Sequence, residues 1–479
     1  MKGQALLKRL LALVLVVMMV FSVMPISALA AEGDTTTEGG VTEGDTTEGE
    51  GNLGDINGDL EEEEEEIVGV PVSNLEELEE EMANQTAAIT LLADIVLDHT
   101  LYITYDVIIY SETAVTLSRA PEFGGDLIVV GQYANGTLCE EEVTLTLGCE
   151  DDEENGLLTI DGNKDNVTVP VVGSALFICN PGHAVLYGSV NVTNHKKVGN
   201  ERTSHENVTV SYPAKVGGAA AIVASGGVLD IYGGIFSGNE VNTVADENET
   251  SLQGGAIYNY GPLNIYGGTF DGNTAKFGGF LFNYRTANIH HATISNSYAS
   301  SLGGAIYMPN SGSAFTYIGE DAAGVEGHVS FIGNTAKDSG GAIYARNLID
   351  ISNAYFKNNT ATSGEGGAVI AYTIRMTMDN VIFDGNQTPA SNGSAVYLSG
   401  SNANDDTLEL DAKNVTLKNN SGKYGALYIA STVRVAMENA TFENNSGTYG
   451  GAIFNKGGTL DINGGTFTGN TSSTRGGVL

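Results

Sequence analysis

Gly254-Gly255-Ala256-Ile257-Tyr258, followed by Phe270-Asp271-Gly272-Asn273, is the stretch that decides the fold of this chain. Its first part recurs over the C-terminal half, with successive starts 24 to 37 residues apart (for example 278 − 254 = 24) and a core period of about 25. A fixed period of this size is typical of a solenoid, in which each unit packs on its neighbours. The starts are Gly217, Gly254, Gly278, Gly303, Gly340, Gly366, Gly450 and Gly476, with degenerate copies at Gly393 and Tyr424.

The second part of each unit is an apolar residue with asparagine three positions later. We expect the phenylalanines to fill the interior, and the glycines and asparagines to supply the left-handed backbone of sharp bends. Stacked asparagine side chains can also hydrogen-bond along the solenoid axis. The unit from Gly278 departs from the pattern, with Ile294 and Ser297. The pairs are Phe236/Asn239, Phe270/Asn273, Phe331/Asn334, Phe356/Asn359, Phe383/Asn386, Phe442/Asn445 and Phe467/Asn470, with Leu417/Asn420 as an aliphatic variant.

The residues before the repeats divide into three parts. Residues 1–30 have a basic start, an apolar stretch and an Ala-x-Ala site, which predicts a signal peptide of a secreted, bacterial protein. Residues 31–72, rich in Thr, Gly and Glu, predict an acidic disordered linker. From 73 a capping box, Ser73-x-x-Glu76, begins a short helix, and short strands of period two follow from Ile89.

Charge and motifs exclude several classes of partner and cofactor. The formal net charge is −38, and no basic stripe is present that could release counterions from phosphate, so nucleic acid is excluded as a partner. We expect no cofactor, and no membrane span in the mature chain. Residues 55–59 open like a calcium loop but lack its glycine at Leu60, and His290-His291 point to opposite faces of a strand. We therefore expect no metal site.

The GGAI and FxxN signatures resemble the repeat of the polymorphic outer-membrane protein family, strongly over 217–479 and more loosely over 160–216 through Gly173-Ser174-Ala175-Leu176-Phe177. The resemblance implies an all-β, single-stranded, right-handed parallel β-helix, a pectin-lyase-like solenoid, on an adhesin-like surface protein. We expect it to span 73–479 behind a short N-terminal helical cap. Because the chain stops at Gly476-Gly477-Val478-Leu479 without a capping unit, we expect the solenoid to be C-terminally incomplete, with any anchor lying beyond it.

Equivalent positions in such a fold stack into columns, about 4.8 Å apart. The third repeat position is always aliphatic, and we assign it to the core; the fourth then faces the other way. If it faces outward, it forms an aromatic ladder that could stack on sugar rings or anchor a protein. If the assignment is reversed, the aromatics are core. The ladder consists of Tyr258, Phe282, Tyr307, Tyr344, Tyr397, Tyr428 and Phe454.

An enzymatic alternative is a pectate-lyase-like or polygalacturonase-like enzyme acting on polysaccharides. Glycoside cleavage needs two carboxylates about 5 to 9.5 Å apart. The polar column six residues before each Phe-type position has no acids on adjacent coils, and Asp411 and Asp461 are two coils apart. No catalytic residue is assigned, and the function that we expect is non-enzymatic adhesion or display on the cell surface, in the outer membrane or cell wall, binding a glycan or a host or surface protein. The column is Asp230, Asn264, Asn288, Val325, Asp350, Thr377, Asp411, Ala436 and Asp461.

Overall fold

The structure, a computed structural model, is an all-β parallel β-helix with a short N-terminal helix, as the sequence predicts. It describes residues 68–149, 158–198, 217–242, 252–310, 315–322, 324–372, 375–400 and 408–479. The predicted signal peptide, the linker up to 67 and the loop at 55–59 lie outside these residues. The hand of the solenoid stays a prediction.

One coil shows the path of the chain. Ile257–Asn259 lies in sheet 1, Leu263–Ile265 and Thr269–Asp271 lie in sheet 2, and Thr274–Phe277 lies in sheet 3. The chain then enters sheet 1 again at Leu281–Asn283, which pairs in parallel with the strand one coil earlier. In several later coils, for example at Leu348–Lys357 and Arg375–Asp384, the two segments of sheet 2 merge into a single strand. Every sheet therefore runs along the solenoid, with strands ordered as in the sequence.

Sheet 1 has 12 strands among the described residues: Leu101–Ile103, Ile128–Val130, Leu176–Ile178, Ala221–Val223, Ile257–Asn259, Leu281–Asn283, Ile306–Met308, Ile343–Ala345, Val369–Ala371, Val396–Leu398, Leu427–Ile429 and Ile453–Asn455. Sheet 3 has ten over the same ranges: Lys196–Val198, Glu240–Asn242, Thr274–Phe277, Tyr298–Leu302, Thr335–Ala336, Thr360–Ala361, Gln387–Asn392, Ser421–Tyr424, Ser446–Tyr449 and Thr471–Arg475.

Sheet 2 has 23 strands in the described chain: Val70–Val72, Ala88–Leu91, Ile95–Leu97, Val107–Tyr110, Val115–Arg119, Val143–Leu147, Leu158–Asp161, Gly182–Leu186, Val190–Thr193, Val228–Ile231, Ile235–Ser237, Leu263–Ile265, Thr269–Asp271, Ala287–Ile289, His291–Ser295, Phe315–Ile318, His328–Ile332, Leu348–Lys357, Arg375–Asp384, Leu408–Lys413, Thr416–Lys418, Val433–Glu443 and Thr459–Thr468.

The phenylalanine column lies in the interior, as predicted. Phe331, Phe356 and Phe383 are fully buried and stack on successive coils, with ring centroids 4.7 and 4.8 Å apart. Burying each ring contributes roughly 1.5–3 kcal/mol. The column fixes the register, because a shift of one residue would turn every ring out to solvent.

The asparagine column is also buried, but its residues do not make the left-handed bend. Asn386 donates from Nδ2 to the Oδ1 of Asn420 at 3.0 Å and to the carbonyl oxygen of Phe356 at 2.9 Å. The positive φ belongs to the preceding residue, for example Gly385 at 69° and Asn358 at 54°. Glycine and asparagine thus supply the bends as predicted, but one residue before the FxxN asparagine, whose amide bonds along the axis as expected.

The N-terminal helix covers the first coils. It spans Leu75–Ala83 and buries Leu78 completely against the core, while Leu75 and Met82 pack beside it. Its N-cap is Asn74, whose Oδ1 accepts from the backbone N–H of Glu77 at 3.0 Å, so the predicted cap at Ser73 is one residue too early. The strand Val70–Val72 precedes the helix and pairs with Ala88–Leu91. The first strand of the β-helix therefore begins at Val70, three residues before the predicted start at residue 73.

One further register differs from the sequence interpretation. The strand Ala221–Val223 pairs with Ile257–Asn259, which aligns Gly218, rather than Gly217, with Gly254. No helix in the described part of the chain is both long and apolar enough to cross a membrane.

Candidate binding surface

The strands of sheet 1 separate the aliphatic column from the aromatic one. Ile257 belongs to the main core, whereas Tyr258 belongs to a second apolar cluster on the other side of the sheet. Side chains alternate across a strand, so the fourth repeat position faces out of the solenoid. The surface formed by these rings and by their aromatic neighbours in the following turn is called the aromatic face: Tyr258, Tyr260, Phe282, Tyr284, Tyr307, Tyr344, Tyr372, Tyr397, Tyr428 and Phe454.

The seven residues predicted from the repeat lie in register along this face. Tyr258 pairs with Phe282, Phe282 with Tyr307, and Tyr307 with Tyr344. The next coil has Ile370 in this position, and Tyr397, Tyr428 and Phe454 follow in register. The column is thus continuous in the backbone but has one aliphatic member.

Three rings of the aromatic face are absent from the repeat-based prediction. Tyr260, Tyr284 and Tyr372 lie two positions after the column, on the same side of the strand. Tyr372 bridges the gap at Ile370, with its ring centroid 5.7 Å from Tyr344 and 6.0 Å from Tyr397. The period of two within a strand is the signal that would have found them.

Burial of the column is uneven. The Tyr258 and Phe282 side chains are fully buried in the second cluster, where Tyr260, Phe277 and Tyr284 pack against them. Tyr428 is 5% exposed. The remaining members, Tyr307, Tyr344, Tyr397 and Phe454, are half-buried. The first two predicted ladder residues are thus packing residues of an outer cluster, and the accessible part of the face lies further along the solenoid.

The rings stack on one another. Tyr307 and Tyr344 have centroids 5.3 Å apart with planes at 17°, and Tyr397 and Tyr428 have centroids 4.7 Å apart with planes at 11°. Each ring therefore turns its faces toward its neighbours along the axis. What the column offers to a partner is ring edges and tyrosine hydroxyls, rather than the open faces on which a sugar ring stacks.

These hydroxyls stay protonated at neutral pH. Burial raises the pKa of Tyr307 and of Tyr344. Burial, and then the charge of Glu365, raises the pKa of Tyr397 to about 12. Each hydroxyl can therefore both donate and accept a hydrogen bond.

Basic side chains lie against this face although the chain is strongly acidic. The guanidinium carbon of Arg285 lies 4.9 Å from the centroid of the Tyr260 ring. Lys276 and Lys423 have Nζ 5.6 and 5.1 Å from the ring centroids of Phe277 and Tyr424, which border the face. Cationic side chains therefore border this face in a chain of net charge −38, although the carboxylate of Glu365 also lies near Tyr397.

A second ladder, which the repeat analysis missed, lies at the bend of sheet 2. Tyr187, Tyr232, Tyr266 and His290 stack on successive coils at 5.2, 4.7 and 5.1 Å. The signal for Tyr232 and Tyr266 is the sequence Tyr-Gly-Gly-x-Phe, in which the tyrosine precedes the interior phenylalanine by four positions.

Beside this ladder runs a hydrogen-bonded polar column. Asn264 donates to Asp230 at 2.7 Å, and Asn288 donates to Asn264 at 2.8 Å. The hydrogen bonds run along the axis, so these residues support one another from coil to coil. Tyr317 is the next member in register. The sequence interpretation placed Val325 in this column, which is wrong. The column passes through the strand Phe315–Ile318, and Val325 lies after the end of that strand.

The residues considered for catalysis and metal binding are also placed. Asp411 and Asp461 are exposed and are separated in register by Ala436, so they lie two coils apart as predicted. His291 pairs in register with His328, with ring centroids 6.1 Å apart, and His290 lies in the second ladder. Within the described ranges, no group of three or more His, Cys, Asp or Glu side chains could hold a metal ion.

The fold and the repeated columns define a parallel β-helix built from similar coils. Residues 328–346 and 439–456 match the model of the Chlamydia polymorphic membrane protein repeat, which confirms the resemblance seen in the sequence. A segment of 70 residues is 40% identical to the probable autotransporter YfaL of Escherichia coli (strain K12). That alignment covers 13% of this chain and 6% of the relative, so the chain spans a small part of it. No solved structure matches the chain. Both matches support a surface-displayed protein.

Proposed function

We propose that this chain is a non-enzymatic binding module, exported and displayed at the cell surface, that engages a glycan or protein partner through the aromatic face. The observation that carries the proposal is the stacked column that sheet 1 turns away from the core. Interior columns fix the register, whereas the outward rings of Tyr344, Tyr372 and Tyr397 fill no interior space. Their edges and hydroxyls are suited to a partner with many hydrogen-bonding groups.

Display can be tested on intact cells that express the complete gene. A protease added outside should cleave the chain, while a cytoplasmic marker stays intact. Cleavage only after lysis would contradict surface display.

Binding can be tested with a triple variant that keeps the rings and removes the hydroxyls, Y344F/Y372F/Y397F. Because the ring stack is retained, the variant should fold like the parent, which circular dichroism and thermal unfolding would check. We expect its retention on an array of neutral and acidic oligosaccharides and immobilised surface proteins to fall about tenfold or more, at roughly 1 kcal/mol per lost hydrogen bond.

The matched control is Tyr298→Phe, which removes a hydroxyl from an exposed tyrosine of sheet 3. Its binding should equal that of the parent chain. Equal retention of the triple variant and the parent would mean that the aromatic face is not the binding surface.

A further inference from the structure

A shallow depression lies at the end of the aromatic face nearer the N-terminus, where sheet 1 turns into sheet 2. Three successive coils line it, with Ser225 from the first, Tyr260 and Pro262 from the second, and Arg285 and Thr286 from the third, together with two glycines. The lining combines an aromatic ring, two hydroxyl groups and one cation, which is the kind of chemistry that orients a small polar ligand.

The cation of this depression lacks a protein counter-ion. Arg285 is half-buried, its guanidinium packs over Tyr260, and its side-chain N–H groups have no acceptor among the described residues. Two other arginines are ion-paired: Arg375 with Asp350 at 3.3 Å and Arg434 with Glu409 at 3.6 Å. Stacking on the ring covers one face of the guanidinium and leaves its in-plane donors available for a planar anion.

A second polar group, two residues before Tyr260 in the sequence, also lacks a hydrogen-bond partner among the described residues. The hydroxyl of Tyr258 is buried and has no hydrogen-bond partner within the described part of the chain. Its ring lies 5.9 Å from that of Tyr284, which in turn lies 5.5 Å from Tyr260. A buried hydroxyl without a partner is costly and rare in native proteins.

We propose that Arg285, Ser225 and Thr286 form a subsite for the carboxylate and ring hydroxyls of an acidic sugar, a uronic acid residue of a polysaccharide. The guanidinium fork fits a carboxylate with two parallel hydrogen bonds. Serine and threonine hydroxyls complement sugar hydroxyls, while Tyr260 and Pro262 contact the apolar part of the ring. Among the described residues that line the depression there is no Val, Leu, Ile or Met, which would favour an apolar peptide side chain.

This assignment rests on the proposed binding function and narrows it to one subsite and one ligand class. The probes are a hyaluronan tetrasaccharide, which carries glucuronate, the same tetrasaccharide with its carboxylates methyl-esterified, and triglycine as a peptide carboxylate. Calorimetry or ligand-observed NMR on the full chain should show that the free acid binds and that the ester binds about ten- to a hundredfold more weakly.

The variants separate charge from geometry. Arg285→Gln should weaken acid binding to the level of the ester, while Arg285→Lys, which keeps the charge but not the fork, should fall between the two. Arg434→Gln, which removes an exposed, ion-paired arginine of sheet 2, should bind like the parent.

Three outcomes would overturn the subsite: equal affinity for acid and ester, unchanged binding by Arg285→Gln, or a preference for triglycine. If Arg285→Gln has no effect while Y344F/Y372F/Y397F abolishes retention on the array, the subsite is wrong and the proposed function stands. If Arg285→Gln weakens binding of the acid and the triple variant binds like the parent, the binding is confined to the depression.

Discussion

Replacing Asn386 with alanine tests whether the buried amide column holds the coils together. The Asn386 side chain takes part in four hydrogen bonds. Its Nδ2 donates to Phe356 O and Asn420 Oδ1, and its Oδ1 accepts from the backbone N and the Nδ2 of Asn359 at 2.9 and 3.0 Å. Alanine strands the Asn359 N–H, one Nδ2 hydrogen and the Phe356 carbonyl in a dry interior.

Each stranded group costs about 1–3 kcal/mol, so two or three of them predict a loss of about 3–6 kcal/mol. Urea unfolding followed by far-ultraviolet circular dichroism gives the change in the free energy of unfolding. Hydrogen exchange should show its largest acceleration at the Asn359 amide, because its acceptor is lost. A solenoid can unfold in parts, which makes the residue-level measurement the sharper one.

The control is Asn242→Ala, since the Asn242 side chain is exposed and bonds to Glu240. We expect a change within about 0.5 kcal/mol. If Asn386→Ala cost no more than this control, or if exchange at Asn359 did not change, the view of the amide column as a coil-to-coil clamp would be refuted.

Four further predictions follow from the same columns. Ser297→Asn should complete the amide column between Asn273 and Asn334 and raise the free energy of unfolding by about 1 kcal/mol in urea. Phe356→Ala should lower it by about 3–5 kcal/mol, measured in the same way. Burial, and then the charge of Arg119, lowers the pKa of His195 to about 3, below its ordinary 6.5. The stabilising contribution of the neutral histidine is therefore present above pH 6.5 and lost as the pH falls. His195→Gln should reduce the fall in the free energy of unfolding, measured in urea between pH 7 and 4, by about 3 kcal/mol relative to the parent. The pKa of Tyr397 is raised, so the contribution of its neutral hydroxyl to stability is present below pH 10 and lost as the pH rises toward 12. Tyr397→Phe should therefore shift alkaline unfolding, monitored by circular dichroism, to higher pH.

The interior could be predicted from the sequence because a parallel coil repeats its environment at every turn. Residues equivalent to Ile257 and Phe270 recur in successive coils, since shifting either by one residue would expose it. The FxxN asparagine could be located for the same reason. Its axial hydrogen bonds follow from the same stacking. The pattern does not show which residue of the turn takes the positive φ, and this is the preceding one, for example Gly272 or Asn358.

The exterior was harder to predict because its neighbours come from outside the motif. Tyr258 is buried by Tyr260 and Tyr284, which the five-residue repeat does not contain. Arg285 meets the ring of Tyr260 across one coil, 25 residues away in sequence. The loop before His328 varies in length, so counting back from Phe331 selected Val325 in place of Tyr317.

This contrast between interior and exterior bears on how such a fold acquires function. The interior columns of Phe and Asn bond each coil to the next, so an outward residue can change without altering the path of the chain. A cation such as Arg285 on a chain of net charge −38 does not reverse the long-range field, which is screened within about 8 Å at physiological salt. Its attraction is short-ranged and acts on an anionic group that has already been brought close. Under the proposed function, the aromatic face would supply that approach through its ring edges and hydroxyls, and the half-buried guanidinium would then distinguish an acidic sugar residue from a neutral one. Binding and selectivity are thereby assigned to different coils of one surface.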